Sequence, residues 1–105
     1  MAEPVHLMLA VEPIQASYAR GQTLTLTVSV FNEMNPAFNS SLSLTVTGPG
    51  GYYHYDSQPI TLAADEVKDY SFTWAIPQAA GTYVAEVGLA PAQLTAYDAA
   101  WLKVD

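Results

Sequence analysis

The amino-acid sequence predicts an all-β domain, an antiparallel β-sandwich of about seven short strands. Apolar residues recur at every second position, which is the period of strands with one buried face and not of helices. Turn-forming Gly, Pro and Asn residues interrupt this alternation roughly every ten residues. The 105 residues suffice for one packed core and not for two, so residues 1–105 are expected to form a single domain.

The first two strands have the clearest alternation. Every second residue of Val5–Val11 is aliphatic, and Glu12-Pro13 ends this strand because proline has no N–H for a ladder. The turn Arg20–Gln22 leads into Leu24–Val30, where Leu and Val alternate with Thr and Ser. Uncharged hydroxyls at the outward positions are typical of extracellular β-proteins, so we expect a domain of a cell surface.

The next two strands flank a glycine-rich turn. Asn and Pro residues predict a loop over Asn32–Asn39, before a third strand at Leu42–Val46. The run Gly48–Gly51 stops that strand. Tyr52–Asp56 is then either a short strand or a loop, and it leads to the apolar residues of Ile60-Thr61-Leu62.

The last three strands contain most of the aromatic core. Ala63–Asp69 is compatible with a turn of helix, after which alternation resumes in Tyr70–Ile76 and again in Tyr83–Leu89. The final segment is ambiguous, because apolar residues of Leu94–Trp101 have helical spacing whereas those of Ala100–Val104 alternate. We predict a loop followed by a closing strand.

Composition excludes several classes of function. The chain has 3 Lys and Arg residues against 10 Asp and Glu residues, a formal net charge of -7, so its own field would repel nucleic acid and anionic lipid. Without cysteine it forms neither a disulfide nor a Cys-ligated metal site. The sequence contains no secretory signal and no apolar run of bilayer-spanning length. A surface location therefore implies a segment of a longer multidomain protein, with signal and anchor outside this segment and no direct membrane insertion within it.

Two motifs resemble those of a known family. The step Gly81-Thr82-Tyr83 within Ala80–Val87 resembles the tyrosine corner of immunoglobulin-like sandwiches. Together with Gly21–Asn32, it is similar to the adhesion-related immunoglobulin-like modules of bacterial and archaeal cell-surface proteins. The chain lacks the cysteines of antibody domains, and Trp74 lies on a different strand from their tryptophan. The resemblance implies an immunoglobulin-like fold and a spacer or adhesive role in an envelope or S-layer-associated protein.

Four adjacent residues form the candidate ligand-binding site. Tyr52, Tyr53, His54 and Tyr55 follow the turn Gly48–Gly51, and strand alternation must point some of these rings outward. Exposed rings can stack on sugar faces or on a partner protein. The alternative is that two of the rings pack in the core while the others shield a sheet edge. Burial of all three tyrosines would rule out a binding role.

Two further sites are weaker candidates. Asp65, Glu66 and Asp69 form the densest acidic cluster, but their spacing matches no calcium-binding loop, and a solvated turn explains them better. We therefore expect no metal and no cofactor. Asn39-Ser40-Ser41 fits the acceptor pattern for N-glycosylation and falls in a predicted loop.

The sequence contains no recognisable catalytic arrangement. His6 and His54 are far apart and have no nucleophile in a familiar pattern. A sandwich of this size also has little room for a substrate cleft. Trp74 and Trp101 are expected to pack in the core or along a sheet edge. The sequence thus indicates a protein that is not an enzyme.

These observations leave three hypotheses for the function. The leading one is a non-catalytic structural or adhesion module of a prokaryotic cell-surface protein, which spaces its neighbouring domains and makes weak contacts with envelope proteins or glycans. The alternative is a carbohydrate-binding module that uses exposed aromatic residues near Tyr52–Tyr55. A free-standing cytosolic assembly protein is the third.

Overall fold

The computed structural model describes residues 5–33, 37–90 and 97–105, in which seven β-strands form two sheets. The strands are β1 (Val5–Glu12), β2 (Thr23–Asn32), β3 (Phe38–Gly48), β4 (Tyr52–Leu62), β5 (Val67–Ala75), β6 (Gly81–Ala90) and β7 (Tyr97–Val104). A short 3-10 turn, Pro49–Gly51, joins β3 to β4. No helix in these residues has the length and apolar character needed to span a membrane.

The two sheets pack against each other as an immunoglobulin-like sandwich. The first sheet has the order β1-β2-β5 and the second the order β4-β3-β6-β7. All of the paired strands are antiparallel. Since the chain has no cysteine, no disulfide joins the sheets, and they are held by core packing and by hydrogen bonds such as that of 2.8 Å from the Leu9 backbone N–H of β1 to the Asp98 carboxylate of β7. The predicted fold class, a disulfide-free antiparallel β-sandwich of about seven strands, is confirmed.

Alternating residues of β2 and β3 form the centre of the core. Burying an aliphatic side chain contributes about 1.5–3 kcal/mol relative to leaving it exposed. The Thr and Ser residues between these aliphatic residues point to the outer faces, which explains the alternation in the sequence. The inward residues, each 0% exposed, are Leu24, Leu26, Val28, Val30, Leu42, Leu44 and Val46.

Three aromatic rings pack together in the core beside the turn that follows β3. The ring centroid of Tyr83 lies 5.6 Å from that of Trp74 and 5.5 Å from that of Tyr52. Trp74 Nε1 donates a hydrogen bond of 3.0 Å to the Tyr52 hydroxyl oxygen. The Tyr83 hydroxyl donates one of 2.7 Å to the carbonyl oxygen of Ala79. This last contact is the tyrosine corner that the sequence predicted.

Gly48 is required by the packing of the Tyr83 ring. A Cβ atom at this position would lie 2.3 Å from a ring carbon of Tyr83, far inside van der Waals contact. The end of β3 can therefore cross the tyrosine corner only without a side chain at position 48. The sequence predicts this glycine in a turn, and in the structure its lack of a side chain makes room for the buried Tyr83 ring.

Several predicted boundaries differ from the structure. Tyr52–Asp56 is part of β4, an unbroken strand of 11 residues, and not a separate strand or loop. Ala63–Asp69 forms no helical turn, because a tight turn with Asp65 at a φ of 59° leads directly into β5. The closing strand is present and begins at Tyr97 rather than at Ala100. The predicted role of Leu94 falls outside the described residues.

The start of β1 and the end of β7 lie at opposite ends of the sandwich. Val5 pairs with Asn32, the last residue of β2. Val104 forms a bridge with Tyr18, shortly before β2 begins. The first residue of β1 and the last residue of β7 therefore lie at opposite ends of a body that measures 45 × 24 × 24 Å.

Candidate functional site

The outer face of the second sheet carries four exposed aromatic side chains, and we call it the aromatic face. Tyr53 and Tyr55 project from β4 and are 64% and 54% exposed, while Tyr97 and Trp101 project from β7 and are 59% and 71% exposed. In the sheet, β4 and β7 form the two edges, with β3 and β6 between them. Two aromatic residues therefore border each side of this face.

The strand register aligns the residues of the aromatic face in rows. Neighbouring strands lie about 4.8 Å apart, so a row of four strands spans roughly 14 Å. The aromatic rings thus lie at the two edges of the face, and hydroxyl groups and a carboxylate lie between them. From β4 to β7 the first row is Tyr53, Thr47, Val84 and Trp101, the second is Tyr55, Thr45, Glu86 and Ala99, and the third is Ser57, Ser43, Gly88 and Tyr97.

Alternation along β4 divides the four predicted binding residues between two faces. Tyr53 and Tyr55 lie on the aromatic face, whereas Tyr52 and His54 are half-buried on the opposite side of the strand. The hydrogen bond from Trp74 holds Tyr52 in the core. The Nε2 atom of His54 is buried and has no hydrogen-bond partner in the described part of the chain. Tyr53 and Tyr55 are thus the two predicted residues that present a ring to solvent.

Sequence reasoning missed the aromatic residues of β7. Trp74 packs in the core, at 2% exposed, and Trp101 lies on the edge strand β7, so both positions fit the expected core or edge, but the Trp101 ring is 71% exposed. The sequence did hold a signal, because Leu102 and Val104 are the inward residues of this strand. Alternation then places Trp101 outward, and the same alternation reaches Tyr97 once the strand is known to begin there.

A shallow depression lies in the aromatic face between β3 and β7. Its volume is about 160 Å³, and Ser43, Thr45, Glu86, Gly88 and Tyr97 are among the residues that line it. Gly88 lies between Ser43 and Tyr97 in the third row and contributes no side chain. Backbone therefore forms the floor of the depression, with the Tyr97 ring at one side.

Tyr97 and Glu86 interact at the edge of this depression. Desolvation raises the pKa of Tyr97 above its usual value, and the negative charge of Glu86 and a hydrogen bond to that side chain raise it further. The charge of Asp98 acts in the same direction. The neutral phenol, which can donate a hydrogen bond to a carboxylate, is therefore stabilised next to Glu86.

Other hollows of the described surface lie away from the centre of the aromatic face. The largest, about 610 Å³, is an open polar hollow beside Asp105, and a groove of about 370 Å³ runs between β1 and β7. On the outer face of the first sheet, a mainly apolar hollow of about 380 Å³ lies around Met8 and Phe31. There the His6 ring stacks on Phe31 at 5.9 Å, and its Nε2 lies 2.9 Å from a Glu33 carboxylate oxygen.

The acidic residues considered for metal binding have separate roles. A Glu66 carboxylate oxygen accepts a 2.8 Å hydrogen bond from the backbone N–H of Ala63 across the turn. Asp69 accepts one of 2.7 Å from the Ser29 hydroxyl on the outer face of the first sheet. Asp65 occupies the turn itself. Residues 5–33, 37–90 and 97–105 contain no group of three or more His, Asp or Glu side chains placed to share a metal ion.

The predicted glycosylation acceptor lies in a strand and not in a loop. β2 extends to Asn32 and β3 begins at Phe38, so Asn39 is the second residue of β3. Asn39 is exposed, and its amide oxygen accepts a 2.8 Å hydrogen bond from the Thr61 hydroxyl of β4. An oligosaccharyltransferase would have to reach this amide within a paired strand.

Solved structures of longer proteins contain domains similar to this chain, although no family model and no curated protein matches its sequence. A cycloisomaltooligosaccharide glucanotransferase from Paenibacillus sp., complexed with cycloisomaltoheptaose, matches with a TM-score of 0.78 and 20% identity over 92% of this chain and 13% of that chain. A β-glucosidase from Erythrobacter marinus matches with a TM-score of 0.79 and 15% identity over 98% of this chain and 16% of that chain. An alkylpurine DNA glycosylase from Pseudomonas fluorescens, bound to DNA containing an abasic site analog, matches with a TM-score of 0.75 and 13% identity over 97% of this chain and 30% of that chain.

These similarities show the fold alone. At identities of 13–20%, residues of a functional site cannot be assigned to this chain from the similar structures. This chain spans 13%, 16% and 30% of the three larger proteins, so in each of them the similar region is one part of a longer chain.

Proposed function

We propose that this chain is a non-catalytic accessory domain that binds carbohydrate through its aromatic face. The observation that carries the proposal is the exposure of Tyr53 and Tyr55, which lie two positions apart on the same side of β4. Exposed rings on a sheet face offer apolar surface to the C–H faces of sugars, and their hydroxyls offer hydrogen bonds to the sugar edge. Isolated exposed aromatics are common, whereas here two pairs of rings border one sheet face.

The similar structures support this proposal. Two of the three larger proteins are named for reactions on glucosides or glucans, and this chain resembles one domain of each. The third acts on DNA, yet 3 basic against 10 acidic residues disfavour a nucleic-acid ligand for this chain. A carbohydrate ligand agrees with both the aromatic face and the charge.

The proposal is tested by binding to polysaccharides. Isothermal titration and affinity electrophoresis would compare the wild-type chain with the double variant Tyr53→Ala/Tyr55→Ala on soluble glucans, xylan and mannan. We expect affinity to fall by about tenfold or more, the equivalent of about 1.4 kcal/mol. Met8→Ala is a matched control, because Met8 is 68% exposed on the outer face of the other sheet. Full binding by the double variant, or none by the wild type, would overturn the proposal.

A second candidate function, the spacer module, rests on a different observation. The start of β1 and the end of β7 lie at opposite ends of the 45 Å body, an arrangement that lets domains follow one another in a line. We propose this role for the chain as a non-catalytic module of a longer prokaryotic cell-surface protein, where it is compatible with carbohydrate binding. Proteolysis of intact source cells should release peptides of this segment joined to flanking sequence. Release only after lysis would contradict the surface location.

A further inference from the structure

The depression around Gly88 has the composition of a sugar-binding subsite. The Tyr97 ring forms one side, and the Glu86 carboxylate and the hydroxyls of Ser43 and Thr45 lie beside it. The Ser43 hydroxyl donates a hydrogen bond of 3.3 Å to the Gly88 carbonyl oxygen, so its oxygen lone pairs remain acceptors. A ring with several hydroxyl groups would find an apolar wall, a charged acceptor and two hydroxyls in a space of about 160 Å³.

The position of the depression relates it to the exposed tyrosines of β4. Tyr55, Thr45 and Glu86 are successive members of one row, and Gly88 and Tyr97 belong to the next. A ligand that touches both Tyr55 and Tyr97 must cross four strands, roughly 14 Å. A single sugar is too short for this distance, whereas an oligosaccharide lying across the strands can contact both edges.

The charge of the site selects among carbohydrates. Glu86 lines the depression and is its one charged residue, because the Asp98 carboxylate lies on the other side of β7 and accepts a hydrogen bond of 2.8 Å from the Leu9 backbone N–H. The basic residue of the strand, Lys103, lies on the same side of β7 as Tyr97 but six positions away, beyond Trp101. A carboxylated or sulfated sugar would therefore meet like charge, while the hydroxyls of a neutral sugar can donate hydrogen bonds to Glu86.

We propose that the depression around Gly88 is the central subsite for a neutral polysaccharide, whose chain crosses the strands from Tyr53 and Tyr55 to Tyr97. This inference rests on the proposed function. It adds that the polysaccharide is neutral, that it lies across the strands, and that two further residues bind it. Tyr97 supplies a stacking ring at the second edge of the face. Glu86 accepts hydrogen bonds from sugar hydroxyls in the middle of it.

The experiment is a titration of the wild-type chain and single variants with two kinds of probe. Neutral probes are soluble glucans, xylan and mannan with their oligosaccharides of increasing length, and the acidic probe is polygalacturonate. We expect Tyr97→Ala and Glu86→Gln each to weaken neutral binding by about tenfold, the scale of one lost ring contact or charged hydrogen bond. We also expect the affinity of the wild-type chain for an oligosaccharide to increase with oligosaccharide length. In Tyr97→Ala this increase should be smaller. Met8→Ala serves as the control, and circular dichroism checks that each variant folds.

The outcomes separate this inference from the proposed function. Loss of binding in Tyr53→Ala/Tyr55→Ala with full binding in Tyr97→Ala and Glu86→Gln would overturn the subsite and leave the proposed function intact. Tighter binding of polygalacturonate than of the neutral probes would overturn the charge class. Absence of binding by the wild type to every probe would overturn both. Weaker binding of the neutral probes by all of these variants, with unchanged binding by the control, would support a ligand that contacts both edges of the aromatic face.

Discussion

The hydroxyl of Tyr83 ties the start of β6 to the preceding turn through its 2.7 Å hydrogen bond to the Ala79 carbonyl oxygen. The side chain is 0% exposed, so Tyr83→Phe keeps the ring packing and removes this bond. We expect the free energy of unfolding to fall by about 1 kcal/mol, the usual net value of one hydrogen bond, as measured by urea denaturation. Tyr53→Phe, on an exposed ring, is the control and should change it by less than about 0.5 kcal/mol. Equal changes in the two variants would contradict the role given to the tyrosine corner.

Tyr97 provides a residue-scale prediction about pH. Its pKa is raised in the folded chain, so the neutral phenol favours folding at pH values below the pKa of unfolded tyrosine. This contribution disappears as the pH rises through the folded-state pKa. In ultraviolet titrations of phenolate absorbance, subtracting the Tyr97→Phe curve from the wild-type curve should show a tyrosine that ionises at a higher pH than free tyrosine. Glu86→Gln should lower that pKa, because the carboxylate charge is removed, and an unchanged titration would show that Glu86 does not act on Tyr97.

At the scale of the strand, polarity alternation decides what the sequence can predict. Over residues 23–30 of β2 every second residue is Thr or Ser, so the buried positions there follow directly from the sequence. The run Tyr52–Tyr55 consists of four large rings with no such alternation, and its faces are fixed only by pairing with β3. The sequence therefore locates this cluster of rings and cannot separate Tyr53 and Tyr55 from Tyr52 and His54.

A buried amide connects β2 to the turn before β5. The side chain of Asn32 is 0% exposed, and its Nδ2 donates a hydrogen bond of 3.0 Å to the Ala63 carbonyl oxygen. The Asn32 backbone N–H donates another, of 2.9 Å, to the Glu66 carbonyl oxygen. Asn32→Ala removes the side-chain donor and leaves the Ala63 carbonyl oxygen without it, so we expect a loss of about 1–3 kcal/mol in chemical denaturation.

The control for this strand-scale prediction is Asn39→Ala. Asn39 is exposed on the neighbouring sheet and bonds the Thr61 hydroxyl, which solvent can replace. Its substitution should change the free energy of unfolding by less than about 0.5 kcal/mol. If Asn32→Ala were as mild as Asn39→Ala, the Asn32 side chain would not be what holds the turn.

The aromatic face exists only at the scale of the whole sheet. Tyr55 and Tyr97 are far apart in the sequence, and the strand order β4-β3-β6-β7 is what places them on one surface. Strand number follows from the spacing of turns, which is local, whereas strand order depends on contacts between distant segments. This is why the fold class could be predicted from the sequence and the β7 half of the candidate site could not.

Net charge leads to a prediction about the stability of the whole molecule. The formal net charge is -7 with neutral histidines, and the described residues form a side-chain ion pair of Lys68 with Glu66 and, when the imidazole is protonated, another of His6 with Glu33. Screening acts over about 30 Å at 0.01 M salt and about 10 Å at 0.1 M, so at low salt repulsion extends across the 24 Å width of the domain. Raising NaCl from about 0.01 M to about 0.1 M should therefore raise the Tm measured by calorimetry, because more repulsion than attraction is screened. Glu12→Gln removes one exposed negative charge and should reduce this increase. A Tm that falls with salt would mean that the ion pairs outweigh the repulsion among the carboxylates.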